Sequence, residues 1–582
     1  MYRKLSIMKY FFSLLSFAAG AWAQYASNNV TFTNPALSGW NSDPSCVRIE
    51  DTFFCVTSTF IAFPGLPIYA SKDLRNWKLI SHAWNRESQL PGVSWSTTEQ
   101  QMGMYAATIR EHDGEIYVVC EYLGVPGGIK GVLFRTTDPF DDKAWSDPVI
   151  FSPSKIDPDL FWDDDGTLYV ATQGIVLQTL DPKTGELSQP PIPLWNGTGG
   201  SWPEGPHLYK RDGYYYLLIA EGGTGTNHAV TIARAKNITG PYEAYEGNPI
   251  LTNRKTKEYF QTVGHADLFQ DAAGSWWGMA LATRSGPEYK VYPMGRESVL
   301  FPVTWEQGEW PVLQPVRGNM SGWPSMPALS RDVPGSGKWH SDPDVYDFKA
   351  NSSVPNNLVH WRVPAEGAFQ ITEKGLEIRP SRNNLTGIPF GDVELSGQRG
   401  LSFIGRRQTD TLFKYSVDLV STPQSADQEA GVTIFLTQVN HIDLGVVYLQ
   451  ESNATNSTGR LHIRFRVESQ NVGVAVPQEQ LVPVPAEWEA SPTRLEISTP
   501  NNVTYALSAM SAENPDKALK IGTASAALVS GGNGTFVGSL IGAYATCNGA
   551  GEGVQCPGDE AAVFKRWRYE GLGQQIAADE IV

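Results

Sequence analysis

A short hairpin pattern recurs along the chain, and it constrains the fold more than any other feature. In residues 201–220 a first strand leads to the turn Asp212-Gly213, where glycine adopts a positive φ without strain, and a second strand rich in aromatic and branched residues follows. Glu204 lies eight residues before Asp212, at the open end of the hairpin. Four further copies place a side chain at the same offset from their turns: Asp43, Tyr105, Asp157 and His265.

The spacing of the copies, about fifty to sixty residues, leaves room for two more strands between hairpins. Such a period is typical of a β-propeller, in which four-stranded blades surround a central channel. The sequence therefore predicts an all-β fold with five blades. Equivalent positions of such blades lie on one ring, so the five residues at the common offset are predicted to meet at one end of the channel. Buried acids without partners are normally avoided, so this convergence indicates a functional site. The alternative is that they are ordinary acids flanking turns.

Four short segments, 41–45, 156–161, 202–206 and 295–297, carry a resemblance to a known family. Together they resemble the signature segments of glycoside hydrolase family 43, five-bladed propeller enzymes that remove pentoses from plant cell-wall polysaccharide. The resemblance covers nearly the whole chain, including a second β-domain found in the β-xylosidase and α-L-arabinofuranosidase branches. It implies a secreted, exo-acting, inverting hydrolase of arabinoxylan or xylo-oligosaccharides that requires no cofactor.

The resemblance also implies roles for the three acids. Asp43 would be the general base that activates water, and Glu204 the general acid that protonates the leaving oxygen. Asp157 would hold Glu204 in position and raise its pKa as a nearby negative charge. An inverting site separates its acid and base by about 6.5–9.5 Å to admit the water, which residues on different blades suit.

Two further residues, His265 and Arg296, are predicted to bind the sugar. In the resembling family a histidine like His265 lies near the propeller axis and in some members binds calcium. Calcium prefers oxygen ligands, so the alternative for His265 is a hydrogen-bonded core residue, and a structural calcium ion near the axis stays an open prediction. Arg296 resembles an arginine that binds sugar hydroxyls, the alternative being a surface ion pair with Glu297.

The choice of pentose depends on the pocket walls. Phe60 and Phe63 follow the base-bearing hairpin and are predicted aromatic walls, the alternative being core packing, and Tyr105 is predicted to touch the substrate. The β-xylosidase-like members have a tryptophan before an Ala-Pro pair, whereas this chain has Tyr105-Ala106-Ala107. Less bulk in the wall favours an α-L-arabinofuranosidase, with an exo-1,4-β-xylosidase or a bifunctional enzyme as the alternative.

The N-terminus predicts secretion. Basic residues precede an apolar run at 10–20 that ends in Ala21-Trp22-Ala23, a signal peptide cleaved before Gln24. No later segment is apolar enough to span a membrane. Ten Asn-x-Ser/Thr sequons suit an extracellular glycoprotein. They lie at Asn29, Asn196, Asn237, Asn319, Asn351, Asn384, Asn453, Asn456, Asn502 and Asn533.

At 582 residues the chain exceeds what one core normally holds, so two domains are predicted. Composition shifts to Pro, Gly and Ser between residues 314 and 342, and the repeat is absent beyond. Short alternating strands there indicate a β-sandwich, similar to a jelly roll. The resemblance implies that this domain packs against the propeller and can lend a residue to the rim of the pocket. The alternative is a purely structural domain. We divide the chain into a signal peptide (1–23), propeller (24–325), linker (326–344) and sandwich (345–582). Sandwich strands are predicted at 413–419, 431–437, 442–449, 460–467, 494–498 and 503–508.

Five cysteines predict at most two disulfides and a free thiol. Cys46 and Cys55 flank the first hairpin turn and could face each other across it, although such bridges are geometrically demanding. Cys547 and Cys556 enclose a glycine-rich loop and are better candidates. Cys120 is predicted to be a buried thiol, and no cysteine or histidine cluster has the spacing of a structural zinc site.

Two other classes of function are alternatives to an enzyme. A non-catalytic carbohydrate-binding protein could use the same fold and the aromatic content of 11%, but the acid trio favours catalysis. The other alternative is a propeller that binds proteins, but that function gives no reason for three acids at the common offset. The net charge of -16 argues against nucleic acid as a partner, since phosphates would be repelled, whereas a neutral polysaccharide is indifferent to it. The oligomeric state is not predicted.

Overall fold

The computed structural model describes residues 30–323, 326–387, 401–450, 459–488, 491–553, 555–558 and 560–582. The predicted signal peptide, 1–23, and the sequons at Asn29, Asn453 and Asn456 lie outside these ranges. Helices in the described ranges are single turns: Glu87–Gln89, Val93–Ser96, Asp142–Ala144, Ala486–Trp488, Ala526–Val529 and Gly532–Gly534. Within that part of the chain, no helix combines the length and apolarity needed to cross a bilayer.

Five antiparallel four-stranded sheets confirm the predicted five-bladed propeller. In each blade the repeated hairpin supplies the two inner strands, and the chain leading to the next repeat supplies the two outer ones. Blade 1 contains Ser42–Ile49, Thr52–Ser58, Gly65–Ser71 and Lys78–Trp84; blade 2 contains Gly103–His112, Glu115–Leu123, Lys130–Thr136 and Val149–Phe151; blade 3 contains Asp159–Trp162, Leu168–Thr172, Val176–Thr179 and Ile192–Pro193; blade 4 contains Glu204–Arg211, Tyr214–Glu221, Ala229–Ala235 and Glu243–Ala244; blade 5 contains Phe260–Gln270, Trp276–Arg284, Glu297–Thr304 and Val312–Leu313.

The propeller is closed by the segment that precedes its first blade. Strand Val30–Thr33 pairs with Asn319–Trp323, which follows the last blade. The side chain of Asn34 then donates to the carbonyl of Leu300 at 2.9 Å and accepts from its backbone N–H at 2.8 Å. Both polar groups of a buried amide are thus satisfied on blade 5, which holds the two ends of the propeller together.

Inside the channel, one guanidinium joins side chains from all five blades. Arg110 of blade 2 donates to Asp159 of blade 3 at 2.6 Å and to Asp267 of blade 5 at 2.7 Å. It also donates to the hydroxyl of Ser45 of blade 1 at 3.1 Å, and its Nη2 lies 3.0 Å from Nδ1 of His207 of blade 4. Burial raises the pKa of Asp267, but the charges of Arg110 and His207 and the hydrogen bonds from Arg110 and Ser45 together hold it below its usual range. We call this set the channel cluster.

The second domain is a sandwich of two sheets around one apolar core. Each predicted sandwich strand overlaps an observed one. In the described residues one sheet runs in the order Phe369–Thr372, Gly375–Ile378, Ala562–Gly573, Leu412–Leu419, Thr493–Asn501, Thr504–Ser511 and Leu519–Ser525, with Asp344–Tyr346 paired to Ala562–Gly573. The other runs in the order Gln480–Pro483, Gly459–Ser469, Asn440–Gln450, Glu429–Thr437, Leu540–Thr546, Phe403–Arg407, Leu358–Trp361 and Ala62–Phe63. A last hairpin joins Gln575–Ala577 to Glu580–Ile581.

The two domains share a sheet. Strand Ala62–Phe63 belongs to the blade 1 loop, yet it pairs with Leu358–Trp361 as the edge of the second sandwich sheet. The connecting segment is also bound to blade 1, because Leu79 donates to the carbonyl of Lys338 at 2.9 Å and His340 donates to that of Trp77 at 2.8 Å. Backbone hydrogen bonds therefore tie the sandwich to the blade that carries Asp43.

Both candidate disulfides form. Cys46 and Cys55 are direct neighbours across the blade 1 hairpin, and their Cα atoms are 4.2 Å apart. Cys547 and Cys556 are bonded across their glycine-rich loop. Cys120 is a buried free thiol, as predicted, and burial raises its pKa well above the usual value.

We expect Arg110→Met to destabilise the protein by about 3–5 kcal/mol, because it leaves the buried carboxylates of Asp159 and Asp267 without their cation. Urea unfolding measures this change. Arg135→Met is the matched control on the same blade, since its ion pair with Glu115 is half-exposed and is expected to contribute less than about 1 kcal/mol. Equal losses of stability in the two variants would contradict a central role for the channel cluster.

Candidate active site

The backbone leaves regular strand geometry at the open ends of the five hairpins. Asp43, Asp157 and His265 have positive φ angles of 52°, 60° and 49°, and the residues next to Tyr105 and Glu204 do as well. The inner strands that carry Asp43, Tyr105, Glu204 and His265 each have a break in register at this point. Such local bends turn a side chain away from the sheet and are frequent beside active sites.

Asp43 is a buried carboxylate with two strong partners. Arg296 donates to its Oδ1 at 3.1 Å, and the hydroxyl of Ser58 donates to its Oδ2 at 2.7 Å. Nδ1 of His265 lies 3.8 Å from Oδ1. Burial raises the pKa of Asp43, but the charge of Arg296 most of all, then His265 where it is protonated, and the hydrogen bond from Ser58 together hold it below its usual value. Asp43 is therefore ionised at neutral pH.

Glu204 shows the opposite shift. Its Oε2 accepts a hydrogen bond from Nε2 of Gln173 at 3.2 Å. Burial, and next the negative charge of Asp43, raise the pKa of Glu204 to about 7, although Gln173 and Arg296 oppose the change. Glu204 therefore keeps its proton through much of the range in which Asp43 is ionised.

Asp157 contacts the peptide that follows Glu204. Its Oδ2 accepts from the backbone N–H of Gly205 at 3.0 Å, while its own N–H donates to the buried carboxyl of Glu121 at 3.0 Å. Burial and the charges of Glu204 and Asp43 raise the pKa of Asp157 well above its usual value. This geometry suits a residue that positions Glu204; the causes that raise the pKa of Glu204 itself are burial and Asp43.

Arg296 and His265 both lie beside Asp43. Arg296 is bound to the site rather than to Glu297, which instead pairs with Arg284 at 2.6 Å. His265 packs under Gly205, where a Cβ would come within 3.0 Å of its ring. Burial lowers the pKa of His265 to about 4, so the imidazole is neutral at neutral pH.

A calcium ion at His265 finds little support in the residues around it. Across the described ranges, no group of three or more histidine, cysteine or acidic side chains could hold a metal. The imidazole would be a single nitrogen ligand, whereas Ca²⁺ takes six to eight oxygens. A metal here stays a prediction, and no step below depends on it.

The aromatic wall is built from both domains. Phe60 stacks between Trp40 and Phe536 of the sandwich with centroids 6.0 Å apart in each case, and Tyr105 packs edge-on against it at 4.8 Å. Phe60 is 0% exposed and so offers no surface to a substrate, whereas Tyr105 and Phe536, which pack against it, are partly exposed. The hydroxyl of Tyr105 donates to the carbonyl of Gln101 at 2.7 Å.

Phe63 lies elsewhere, because the loop crosses into the sandwich at Ala62–Phe63. Its ring packs edge-on against Trp84, 5.2 Å between centroids, in a separate apolar cluster. This placement corresponds to the alternative considered for it, core packing, and not to a wall of the pocket.

The sequence pattern missed several residues that contact the acids, Arg296 or the wall: Ser58, Glu121, Gln173, Thr224 and Phe536. Three of them lie at or near the end of the second strand of a repeated hairpin: Ser58 ends its strand, Gln173 follows its strand, and Glu121 lies two residues before the end of its strand. An antiparallel hairpin returns that strand to its open end, so polar residues there were a usable signal. Phe536 had none, because it belongs to the other domain.

Comparison with known proteins identifies the family of this chain. Residues 32–311 match the family Glycosyl hydrolases family 43, and residues 345–570 match the Beta xylosidase C-terminal Concanavalin A-like domain. The chain is 38% identical over 447 residues to the Non-reducing end alpha-L-arabinofuranosidase BoGH43B of Bacteroides ovatus, which covers 75% of this chain and 80% of that relative. The chain belongs to glycosyl hydrolase family 43.

Further relatives agree with membership of family 43. A Xylosidase/arabinosidase of Butyrivibrio fibrisolvens is 34% identical over 446 residues, 72% of this chain and 80% of its own. The solved structure of GH43B from a Bacteroides ovatus xyloglucan locus superposes with a TM-score of 0.77 at 33% identity, covering 93% of this chain and 100% of that one. The prediction of a family 43 glycosidase is thus confirmed.

We expect Gln173→Met to move the basic limb of the pH profile of this family 43 enzyme to higher pH. The Gln173 amide stabilises the ionised form of Glu204, so its loss raises a pKa that already lies at about 7. The profile of kcat/KM against pH measures the shift. Gln178→Met is the control, because Gln178 lies in the same blade but donates to the carbonyl of Ser188. An unmoved limb, or one moved to lower pH, would contradict Glu204 as the acid.

Proposed function

We propose that this protein is an exo-acting, inverting α-L-arabinofuranosidase that releases terminal arabinose from arabinoxylan or its oligosaccharides. The observation that carries the proposal is the opposite pKa shift of two acids in one pocket. Asp43 is held below its usual pKa beside Arg296, and Glu204 is raised to about 7. General acid–base hydrolysis near neutral pH needs one ionised and one protonated carboxyl, and this arrangement supplies them.

In the proposed reaction Asp43 takes a proton from the attacking water while Glu204 gives its proton to the glycosidic oxygen. The water attacks the face of the ring opposite the leaving group, so the configuration at the anomeric carbon inverts. Asp157 holds the peptide after Glu204 and thereby aims the acid. Arg296 keeps Asp43 ionised and, from the same place, can donate to sugar hydroxyls.

The preference for arabinofuranose is supported by the walls and by the relatives. At the second blade small side chains, Ala106 and Ala107, follow Tyr105. The similar Bacteroides ovatus protein is named an arabinofuranosidase. An exo-1,4-β-xylosidase is the second candidate, because the sandwich matches a β-xylosidase domain and another similar protein is named for both activities.

We also propose that the enzyme is secreted. Two disulfides form in the described residues, as is usual for proteins folded in an oxidising compartment. Five sequon asparagines are exposed and open to glycosylation: Asn196, Asn237, Asn319, Asn351 and Asn533. Both observations suit the signal peptide expected at 1–23, and detection of N-glycans on the secreted chain would test it.

Asp43→Ala and Glu204→Ala are each expected to lower kcat on an unactivated oligosaccharide by about 10²–10⁴-fold, because each removes one half of the acid–base pair. An aryl leaving group needs little protonation, so Glu204→Ala is expected to keep more activity on a p-nitrophenyl pentoside than Asp43→Ala does. Asp165→Ala, in the exposed turn of blade 3, is the control and should retain wild-type rates. Near wild-type turnover of the oligosaccharide by Glu204→Ala would refute the acid assignment.

The substrate preference is expected to favour arabinofuranose. We compare kcat/KM on p-nitrophenyl α-L-arabinofuranoside and β-D-xylopyranoside, assay arabinose release from arabinoxylan, and follow the first-formed product by proton NMR. We expect the arabinofuranoside to be preferred, arabinose to be freed from the polymer, and the product to be inverted. A preference for the xyloside with no arabinose released would support the second candidate, and retention would refute the water-mediated mechanism.

A further inference from the structure

Trp202 stands out as an exposed ring beside the catalytic acid. Its exposed fraction is 69%, and among the tryptophans whose side chains the structure describes, the others are at most partly exposed. Its backbone has a φ of 53°, a left-handed conformation that a bulky residue rarely adopts. Neither core packing nor local backbone preference therefore accounts for a tryptophan at this position.

The loop that carries Trp202 is held rigidly on both sides. The buried carboxylate of Glu221 accepts from the backbone N–H of Thr198 at 2.9 Å, from that of Gly200 at 3.0 Å and from the Thr231 hydroxyl at 2.7 Å. The carbonyls that flank the tryptophan are also bound, that of Ser201 by Gly222 at 2.7 Å and that of Pro203 by Gly174 at 3.0 Å. The exposed ring is thus presented by a fixed backbone, as a binding platform requires.

The position of Trp202 places it at the rim of the pocket. It precedes Glu204 by two residues, and its Cδ1 lies 3.5 Å from where a Cβ of Gly223 would stand. The residue after Gly223, Thr224, accepts a hydrogen bond from Arg296 at 3.2 Å, and Arg296 in turn pairs with Asp43. Trp202 therefore lies next to the loop that borders the site, two residues before the strand that carries the acid.

We propose that Trp202 binds the sugar on the leaving-group side of the cleaved bond, a xylopyranose unit of the xylan chain, by stacking on its C–H face. The inference rests on the proposed function, in which Glu204 protonates the oxygen that joins the departing pentose to this unit. Because the acid lies at the leaving oxygen, an aromatic ring beside the acid is placed to contact the leaving group and not the departing pentose. A flat, uncharged ring with few rotatable bonds suits a neutral pyranose and loses little entropy on binding.

The test compares substrates that differ only in the leaving group. Trp202→Ala is expected to lower kcat/KM about tenfold on an arabinosylated xylotriose, or on xylotetraose if the xyloside is preferred, as loss of a stacked aromatic predicts. The glycosyl fluoride of the preferred pentose releases only a fluoride ion, which offers no ring on which Trp202 could stack. Its kcat/KM should therefore change less than about twofold in Trp202→Ala. Xylotriose should inhibit fluoride hydrolysis by wild type, and its Ki should rise about tenfold in Trp202→Ala.

Two further variants make the outcome decisive. Trp202→Phe keeps an aromatic face and is expected to restore most of the oligosaccharide rate, and Leu329→Ala, equally exposed at 69% on the connecting segment, should change neither rate. If Trp202→Ala lowers both rates equally, or neither, the platform is refuted. If wild type hydrolyses neither the fluoride nor the oligosaccharide, the proposed function itself fails, and the platform with it.

Discussion

The active site depends on one buried cation. In the described residues the five blades form separate sheets, joined by isolated backbone contacts such as that of Phe60 with Met104, and side chains in the channel help to set their alignment. Arg110 does this by pairing with two carboxylates and contacting polar groups of the other two blades. Because Asp159 and Asp267 lie two residues beyond Asp157 and His265, fixing the channel cluster also fixes the residues at the open end of the hairpins. A buried charge costs free energy unless it is fully paired, so the pairing of Arg110 favours one arrangement of the five blades. That arrangement in turn sets the positions of the side chains in the pocket.

The electrostatics of the pocket follow from where Arg296 lies. Its guanidinium contacts Asp43 directly and not Glu204, so it favours the ionised form of the first far more than that of the second. The resulting negative charge on Asp43 then adds to burial in raising the pKa of Glu204. One cation placed to one side of the pocket thereby gives two chemically similar carboxyls opposite pKa shifts, as the proposed acid–base pair requires.

The propeller and the residues that line one end of its channel could be predicted from the sequence. Each repeat preserves the hairpin and the residue eight positions before its turn. Asp43, Tyr105, Asp157, Glu204 and His265 were all found that way, and the local backbone bends do not change their place in the ring. Gln173 and Glu121 could have been predicted in the same way. In an antiparallel hairpin the second strand returns to the open end, as the pairing of Tyr105 with Glu121 shows. Phe60 and Phe63 could not be told apart, because only the crossing of Ala62–Phe63 into the sandwich sends one ring behind the pocket and the other into a core.

The sandwich reaches the candidate site through Phe536. Phe536 stacks on Phe60, and its carbonyl accepts from Nη2 of Arg296 at 3.4 Å. Without this covering residue, water would reach the guanidinium and weaken its attraction for Asp43, since charges interact more strongly where water is excluded. The pKa of Asp43 would then rise towards its usual value, and the effect of Asp43 on Glu204 would shrink. The shared sheet between the domains, from Ala62–Phe63 to Leu358–Trp361, helps to hold Phe536 beside blade 1 and so helps to set the charge state of Asp43.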